Sequence, residues 1–243
     1  MIQGENRFSA VVLRKKEVGE TDRLYTFFTN TFGKVQLVAK GVRKPEAKLA
    51  GQLETLMQGS FIVVKGRGAG KIAGAVAEKS YVSLRQDLVI LKRVLEAVSI
   101  FERLVGWEEK DEALFVLLTK YLDVIDELAQ DHKSEKVLLV TEGFLFQLLA
   151  HLGYEIETSI CVISGEKLTS GERHFFSPSA GGMLKDSHAH LTHGALPIGE
   201  SVIKLIRLFL NHKLESLPKI TVPEKDLREA RQVANRFFQW IDT

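Results

Sequence analysis

The sequence predicts an α+β chain in which a small five-stranded barrel over residues 1–80 precedes a helical domain over residues 81–243. Three observations carry this. The apolar residues alternate with a period of two in the first 80 residues, and from about residue 85 they recur every three or four. Glycine and polar clusters interrupt the first part at short intervals, as turns between strands do. The charge divides at the same place. Residues 1–80 hold 14 Lys/Arg against 7 Asp/Glu, a balance of +7, whereas residues 81–243 hold 19 against 24, a balance of −5. The chain's formal net charge of +2 therefore conceals a basic module and an acidic one, and such asymmetry marks two tasks.

The barrel's elements follow in order. Ser9-Ala10-Val11-Val12-Leu13 is the first β-rich run. From Arg23 to Thr29 the residues alternate, with Leu24, Thr26 and Phe28 on one face and Tyr25 and Phe27 on the other. Gly33 to Lys40 repeats the pattern, with Val35, Leu37 and Ala39 opposite Gln36, Val38 and Lys40. Phe61-Ile62-Val63-Val64 and Ile72 to Val76 supply the fourth and fifth strands. Five short strands in this length fit an OB-type barrel.

The helical stripes come next. Leu88, Leu91, Leu95, Val98 and Phe101 form the first, Leu114, Leu117, Leu118, Tyr121, Leu122 and Ile125 the second, and Val137, Val140, Phe144 and Leu148 the third. Asp111 and Ser134 stand where N-caps are wanted, and Gly153 follows the third stripe and can end it. Val202, Leu205, Ile206, Phe209 and Leu210 make a fourth stripe. Leu227, Ala230, Ala234, Phe237, Phe238 and Ile241 make a fifth, opened by Pro223 at the first helical position. Between the third and fourth lies a Ser-, Gly-, Thr- and His-rich segment, residues 155–196, with little helical period. So long a stretch inside a helical domain is expected to be an inserted substructure.

Composition excludes several classes. The 45% hydrophobic and 26% charged residues match a globular protein rather than a disordered or collagen-like chain. The single cysteine, Cys161, excludes an internal disulfide and any four-cysteine metal site. No signal-like start is visible, and the apolar runs fall far short of the roughly 20 residues of a membrane span. The expected setting is a reducing cytoplasm, with no membrane partner.

Chemical motifs are few. Gly66-Arg67-Gly68-Ala69-Gly70-Lys71 resembles a phosphate loop, but Lys65 stands where the first Gly of a Walker A loop is required, and Ile72 follows the lysine. It reads instead as a basic hairpin between two strands. Lys40-Gly41-Val42-Arg43-Lys44, with Lys48 beyond and Lys34 before, is a basic run in which Glu46 is the only acid from Lys34 to Lys48. Such a run is either a solvated loop or a nucleic-acid surface, where each neutralised phosphate releases a counterion. Arg14, Lys15 and Lys16 add to it. Tyr25, Phe27 and Phe32 are available for stacking, although core packing is the default for each. His188, His190 and His193, with His174 and Cys161, are chemically able to hold zinc, but no His-Glu-x-x-His helix accompanies them and polar loop histidines are expected. No nucleophile elbow or paired-carboxylate spacing stands out.

Several strings taken together resemble the bacterial RecO family of DNA repair and recombination mediators. They are Gly19-Glu20-Thr21-Asp22-Arg23-Leu24, then Phe28-Thr29 and Gly33-Lys34, Ala39-Lys40-Gly41-Val42-Arg43-Lys44, Leu49-Ala50-Gly51-Gln52-Leu53-Glu54, Gly66-Arg67-Gly68, and Phe176-Ser177-Pro178-Ser179-Ala180-Gly181-Gly182. They span most of the chain in the family's order. The resemblance implies a non-enzymatic protein without cofactor. Such a protein binds single- and double-stranded DNA, anneals complementary strands without ATP, joins RecR, contacts the C-terminal tail of SSB, and so helps load RecA onto SSB-coated DNA. Its location is then cytoplasmic and nucleoid-associated. Lys40, Arg43, Lys44 and Lys48 are the first expected backbone contacts; Arg14, Lys15, Lys34, Arg67 and Lys71 are the second.

The family's segment 155–196 is zinc-finger-like, with two Cys-x-x-Cys pairs in many members. Aligned on Phe176 to Gly182, those four positions here are Cys161, Ser164, Lys185 and His188. The resemblance therefore implies a degenerate finger without metal, although a rearranged site using Cys161, His174, His188 and His190 stays open. The alternative to the mediator is a protein-interaction adaptor whose basic barrel meets an acidic partner, DNA binding being incidental.

Overall fold

The computed structural model describes residues 5–64 and 70–241, in two compact units, 1–131 and 132–243. In the first unit, among the described residues, five strands close into a barrel in the order β1-β2-β3-β5-β4. They are β1 (Glu5–Val18), β2 (Asp22–Thr29), β3 (Gly33–Ala39), β4 (Gln58–Val64) and β5 (Gly70–Lys79). Strand β1 is long enough to pair antiparallel with β4 through its first half and with β2 through its second. The barrel closes where β3 and β5 meet in parallel at Leu37–Gly70 and Val38–Lys71. This is the OB-type arrangement expected from the alternation.

The alternation itself fills the barrel. Tyr25, Phe27, Val35, Leu37 and Ala39 point inward with Phe61 from β4, and all are buried. Phe27, Val35, Leu37 and Phe61 each contribute about 1.5–3 kcal/mol on leaving water. In β1 the register shifts between Val12 and Arg14. This bulge sets Val12 opposite inward-facing Phe27, then Lys15 opposite inward-facing Tyr25. Arg14 and Lys16 are therefore left on the outer face.

After the barrel, α1 (Val82–Gln86) and α2 (Leu88–Leu104) are separated at Asp87, whose carboxylate caps α2 by accepting from the N–H groups of Val89 and Ile90. Asp111 caps α3 (Glu112–Gln130) in the expected way. The α2 stripe is shifted from the one the sequence suggests. Ile90, Val94, Ala97, Val98 and Phe101 are buried, whereas Leu88 is 78% exposed and Leu95 is also exposed. The two stripes share Val98 and Phe101 and diverge toward the start of the helix, where Ile90, Val94 and Ala97 turn inward. The Phe101 ring packs edge-on against Phe28 of β2, 4.8 Å between centroids.

In the second unit, α4 (Ser134–His151) is surrounded by α5 (Glu200–Asn211), α6 (Glu224–Ile241) and a 3-10 turn over Leu214–Lys219. Gly143 lies so close to Leu217 that a Cβ there would stand 2.3 Å from its side chain. Gly153, at φ +84°, ends α4 as expected. Two expected caps differ. Ser134 is the first helical residue rather than the cap, and Lys133, with no side-chain acceptor in place, precedes it. Pro223 stands one position before α6, its carbonyl accepting from the N–H groups of Asp226 and Leu227.

The segment between α4 and α5 holds a three-stranded sheet in the order β7-β6-β8, formed by β6 (His174–Ser177), β7 (Gly182–Lys185) and β8 (Leu196–Ile198). Buried Phe176 ties it to α6 by an edge-on contact with Phe237, 6.0 Å between centroids.

Candidate nucleic-acid interface

Cross-strand neighbours share a face, so the register lays out the barrel's outer surface in rows. Lys16, Leu24, Val38 and Lys71 form one row across β1, β2, β3 and β5. Arg14, Thr26 and Gln36 form the next. Phe28 and Lys34 form the third, and both are buried. The face is thus covered at one end and open at the other. The open end has a neutral floor of Leu24, Val38 and Gln36, with exposed Arg14 and Lys16 on one margin and exposed Lys71 on the other.

The basic run after β3 stands beside this open end. Lys40 continues the outward alternation of Gln36 and Val38, and its ammonium lies 2.7 Å from Asp22 Oδ2. The other oxygen of Asp22 accepts the Gly41 N–H at 2.8 Å. The Lys40 ammonium and that N–H together hold the Asp22 carboxyl below its ordinary range. Gly41 supplies the positive φ, +63°, that turns the chain after β3. The Arg43 N–H then bonds the Thr21 carbonyl, and its guanidinium lies 3.3 Å from Glu17 and reaches the Gly19 carbonyl. The loop is therefore fastened to the β1–β2 turn through Asp22 and Glu17. Lys44 and Lys48 are exposed, with no ion pair among the described residues.

The remaining expected residues are distributed unevenly. Arg14 is exposed and also bonds Glu102 at 2.9 Å. Lys15 points to the inner side of the barrel end and pairs with Glu54. Arg67 lies outside the described residues. Lys34 departs most from the expected solvent-facing lysine. It is only 5% exposed, its Nζ donates to the Glu102 carbonyl at 2.7 Å, and it sits over the Trp107 ring, 4.4 Å from the centroid. Burial pushes its pKa down, opposed by the Glu102 carboxylate. Its charge is spent inside the fold, so it is left out of the backbone contacts. Tyr25 and Phe27 are core residues, which removes them from stacking. Lys16 joins the outer face through a register that periodicity alone does not give.

Family models described as "Recombination protein O N terminal" and "Recombination protein O C terminal" match residues 1–81 and 85–240. The chain belongs to the recombination protein O (RecO) family. Proteins named DNA repair protein RecO from Bacillus cytotoxicus, Bacillus mycoides and Bacillus cereus are each 25% identical to it over 232 residues, covering 96% of this chain and 90% of theirs.

In this RecO-family chain two of the four zinc-type positions, Cys161 and His188, carry potential ligands. Cys161 Sγ lies 3.7 Å from His188 Nδ1, which gives two potential ligands where a structural zinc takes four. Ser164 is exposed, and the Lys185 ammonium is held by Glu166 at 2.8 Å. Among the described residues no three His, Cys, Asp or Glu side chains gather closely enough for a metal ion. Burial opposes ionisation of Cys161, but backbone hydrogen bonds from the Lys185, Ser164 and Ile163 positions outweigh it and bring the thiol down to about 6. The turn around Cys161 is closed by backbone bonds instead, Cys161 N–H to Glu166 and Gly165 N–H to Cys161, both 2.8 Å. Among the described residues, no helix is long and apolar enough to cross a membrane.

Proposed function

We propose that the barrel binds single- and double-stranded DNA along its open outer face, and that the protein acts in repair as a recombination mediator. The observation that carries the reading is the pairing of a neutral strand floor with basic margins. Arg14 and Lys16 stand on one side, Lys71 on the other, and Lys40, Arg43, Lys44 and Lys48 continue the positive surface from the end of β3. The strand 2–3 face and its adjoining loops are where OB-type barrels take oligonucleotides. Family membership supports the repair and recombination role.

The mechanism is electrostatic. Ammonium and guanidinium groups on one face screen two phosphate backbones, so complementary strands meet without the repulsion that otherwise keeps them apart. Base pairing then supplies the driving force, which is why annealing needs neither ATP nor a catalytic residue. Partnership with RecR, contact with the SSB tail and loading of RecA follow from the same reading.

The test is annealing of complementary strands with and without ATP and SSB. ATP-independent annealing that tolerates SSB is expected. Failure to bind DNA, with retained binding to an acidic SSB-tail peptide, overturns the reading in favour of an adaptor.

A further inference from the structure

Among the described residues of the first unit, Trp107 is the one exposed aromatic side chain, with half of its surface open. Its position is built rather than incidental. Residues 106–109 run beside β3 below the point where β5 pairs with it. Lys34 and Trp107 form a parallel bridge, and the Glu108 N–H donates to the Lys34 carbonyl at 2.9 Å. The approach is close enough to require glycine at position 33, where a Cβ would stand 1.9 Å from the Glu109 carbonyl oxygen. The Lys34 ammonium lies over the ring at 4.4 Å and is itself fixed by the Glu102 carbonyl. Trp107 thus extends the row of Phe28 and Lys34, beside the row of Arg14, Thr26 and Gln36 on the outer face.

We infer that Trp107 stacks a nucleobase of single-stranded DNA lying along that face, with the Lys34 cation held against the ring and the phosphates taken by Arg14, Lys16 and Lys71. The inference rests on the DNA-binding reading above and names the residue that meets a base. The chemistry favours a base at this spot over a phosphate. The Lys34 charge is buried, the Glu102 carboxylate is already bonded to Arg14, and exposed Glu108 and Glu109 flank the indole. An uncharged, flat π surface is what such a platform accepts, and single-strand binders combine it with a basic track.

The chain has two tryptophans, Trp107 and Trp240, so Trp240→Phe leaves Trp107 as the sole indole reporter. This protein is titrated with oligothymidylate and with an abasic oligonucleotide of equal phosphate number. Quenching by the first and not the second is expected. Trp107→Leu is expected to weaken oligothymidylate binding by about five- to 150-fold, the range for one stacked base, while abasic binding stays unchanged. If the leucine variant does not fold, the quenching contrast alone decides. Equal quenching by both oligonucleotides overturns the inference. So does unchanged oligothymidylate affinity in a folded Trp107→Leu protein whose Arg43→Glu/Lys44→Glu counterpart binds poorly, and in that case the DNA-binding reading survives. If the parent binds neither oligonucleotide, both fall.

Discussion

The Lys40 ammonium and the Gly41 N–H are held by the two oxygens of one carboxylate, Asp22, at 2.7 and 2.8 Å. This makes an acid the anchor of the basic loop. Folding depresses the Asp22 pKa below its ordinary 3.8. Its contribution to stability is therefore present above that value and is lost as pH falls through the lower folded one. Asp22→Asn is expected to be less stable than the parent at neutral pH, with the gap narrowing below pH 3.8. Urea midpoints at the two pH values measure this, and a gap that ignores pH would separate the anchor from its charge.

Arg43→Glu/Lys44→Glu is expected to weaken binding to single-stranded oligonucleotide. The slope of log affinity against log salt should fall by about 0.7 for each phosphate contact removed. Lys44 has no ion pair among the described residues, whereas Arg43→Glu also breaks the pair with Glu17, so urea unfolding of the double variant is measured alongside the titration. An unaltered slope would remove both residues from the interface.

Lys34 belongs to the fold. Lys34→Met is expected to lower unfolding stability by about 1–3 kcal/mol, because the bond to the Glu102 carbonyl is lost and its acceptor is left unpaired. The salt slope for DNA should stay that of the parent. Denaturant unfolding paired with a salt titration tests both halves, and a fall in slope would return Lys34 to the phosphate contacts.

Gly33→Ala combines two costs, a non-glycine residue at φ +65° and a Cβ driven into the Glu109 backbone. A loss of more than about 1 kcal/mol is expected. Trp107 emission should also shift as residues 106–109 lift away from β3. Chemical denaturation followed by tryptophan fluorescence reads both.

The Cys161–His188 pair offers half of a zinc coordination shell. Protein purified without chelator is expected to carry well under one zinc per chain, and EDTA should leave its thermal midpoint in place. Near-stoichiometric zinc by elemental analysis would show a rearranged site.

The barrel was legible in the sequence wherever one strand face is buried and the other is not. The alternation of Tyr25 and Phe27, and of Val35, Leu37 and Ala39, is the direct trace of that burial. Helix α2 was harder, because Leu88 and Leu95 carry as much hydrophobicity as Ile90 and Val94. Both stripes run through Val98 and Phe101, so which residues turn inward at the start of the helix is set by tertiary packing and not by the apolar count. Strands β6 to β8 escaped notice because three or four residues are too few to display a period. At the site, Lys40, Arg43, Lys44 and Lys48 are contiguous in sequence and were visible as a run. The placement of Lys16, Lys71 and Trp107 depends on a bulge, a register and a bridge between distant segments. For the same reason Lys34 looks like a surface lysine until residues 102 and 107 are brought over it.

The bridge between Lys34 and Trp107 has one more consequence. Strand β5 covers β3 only near Leu37 and Val38, which leaves the first half of β3 with a hydrogen-bonding edge. Residues 107 and 108 occupy that edge, and the charges of Glu108 and Glu109 lie just outside it. A second chain seeking to add a strand there meets a filled ladder and like-charged carboxylates. The segment that presents the indole thus also guards the barrel against edge-to-edge self-association, a safeguard that matters most beside strands as rich in aromatic and β-branched residues as β2 and β4.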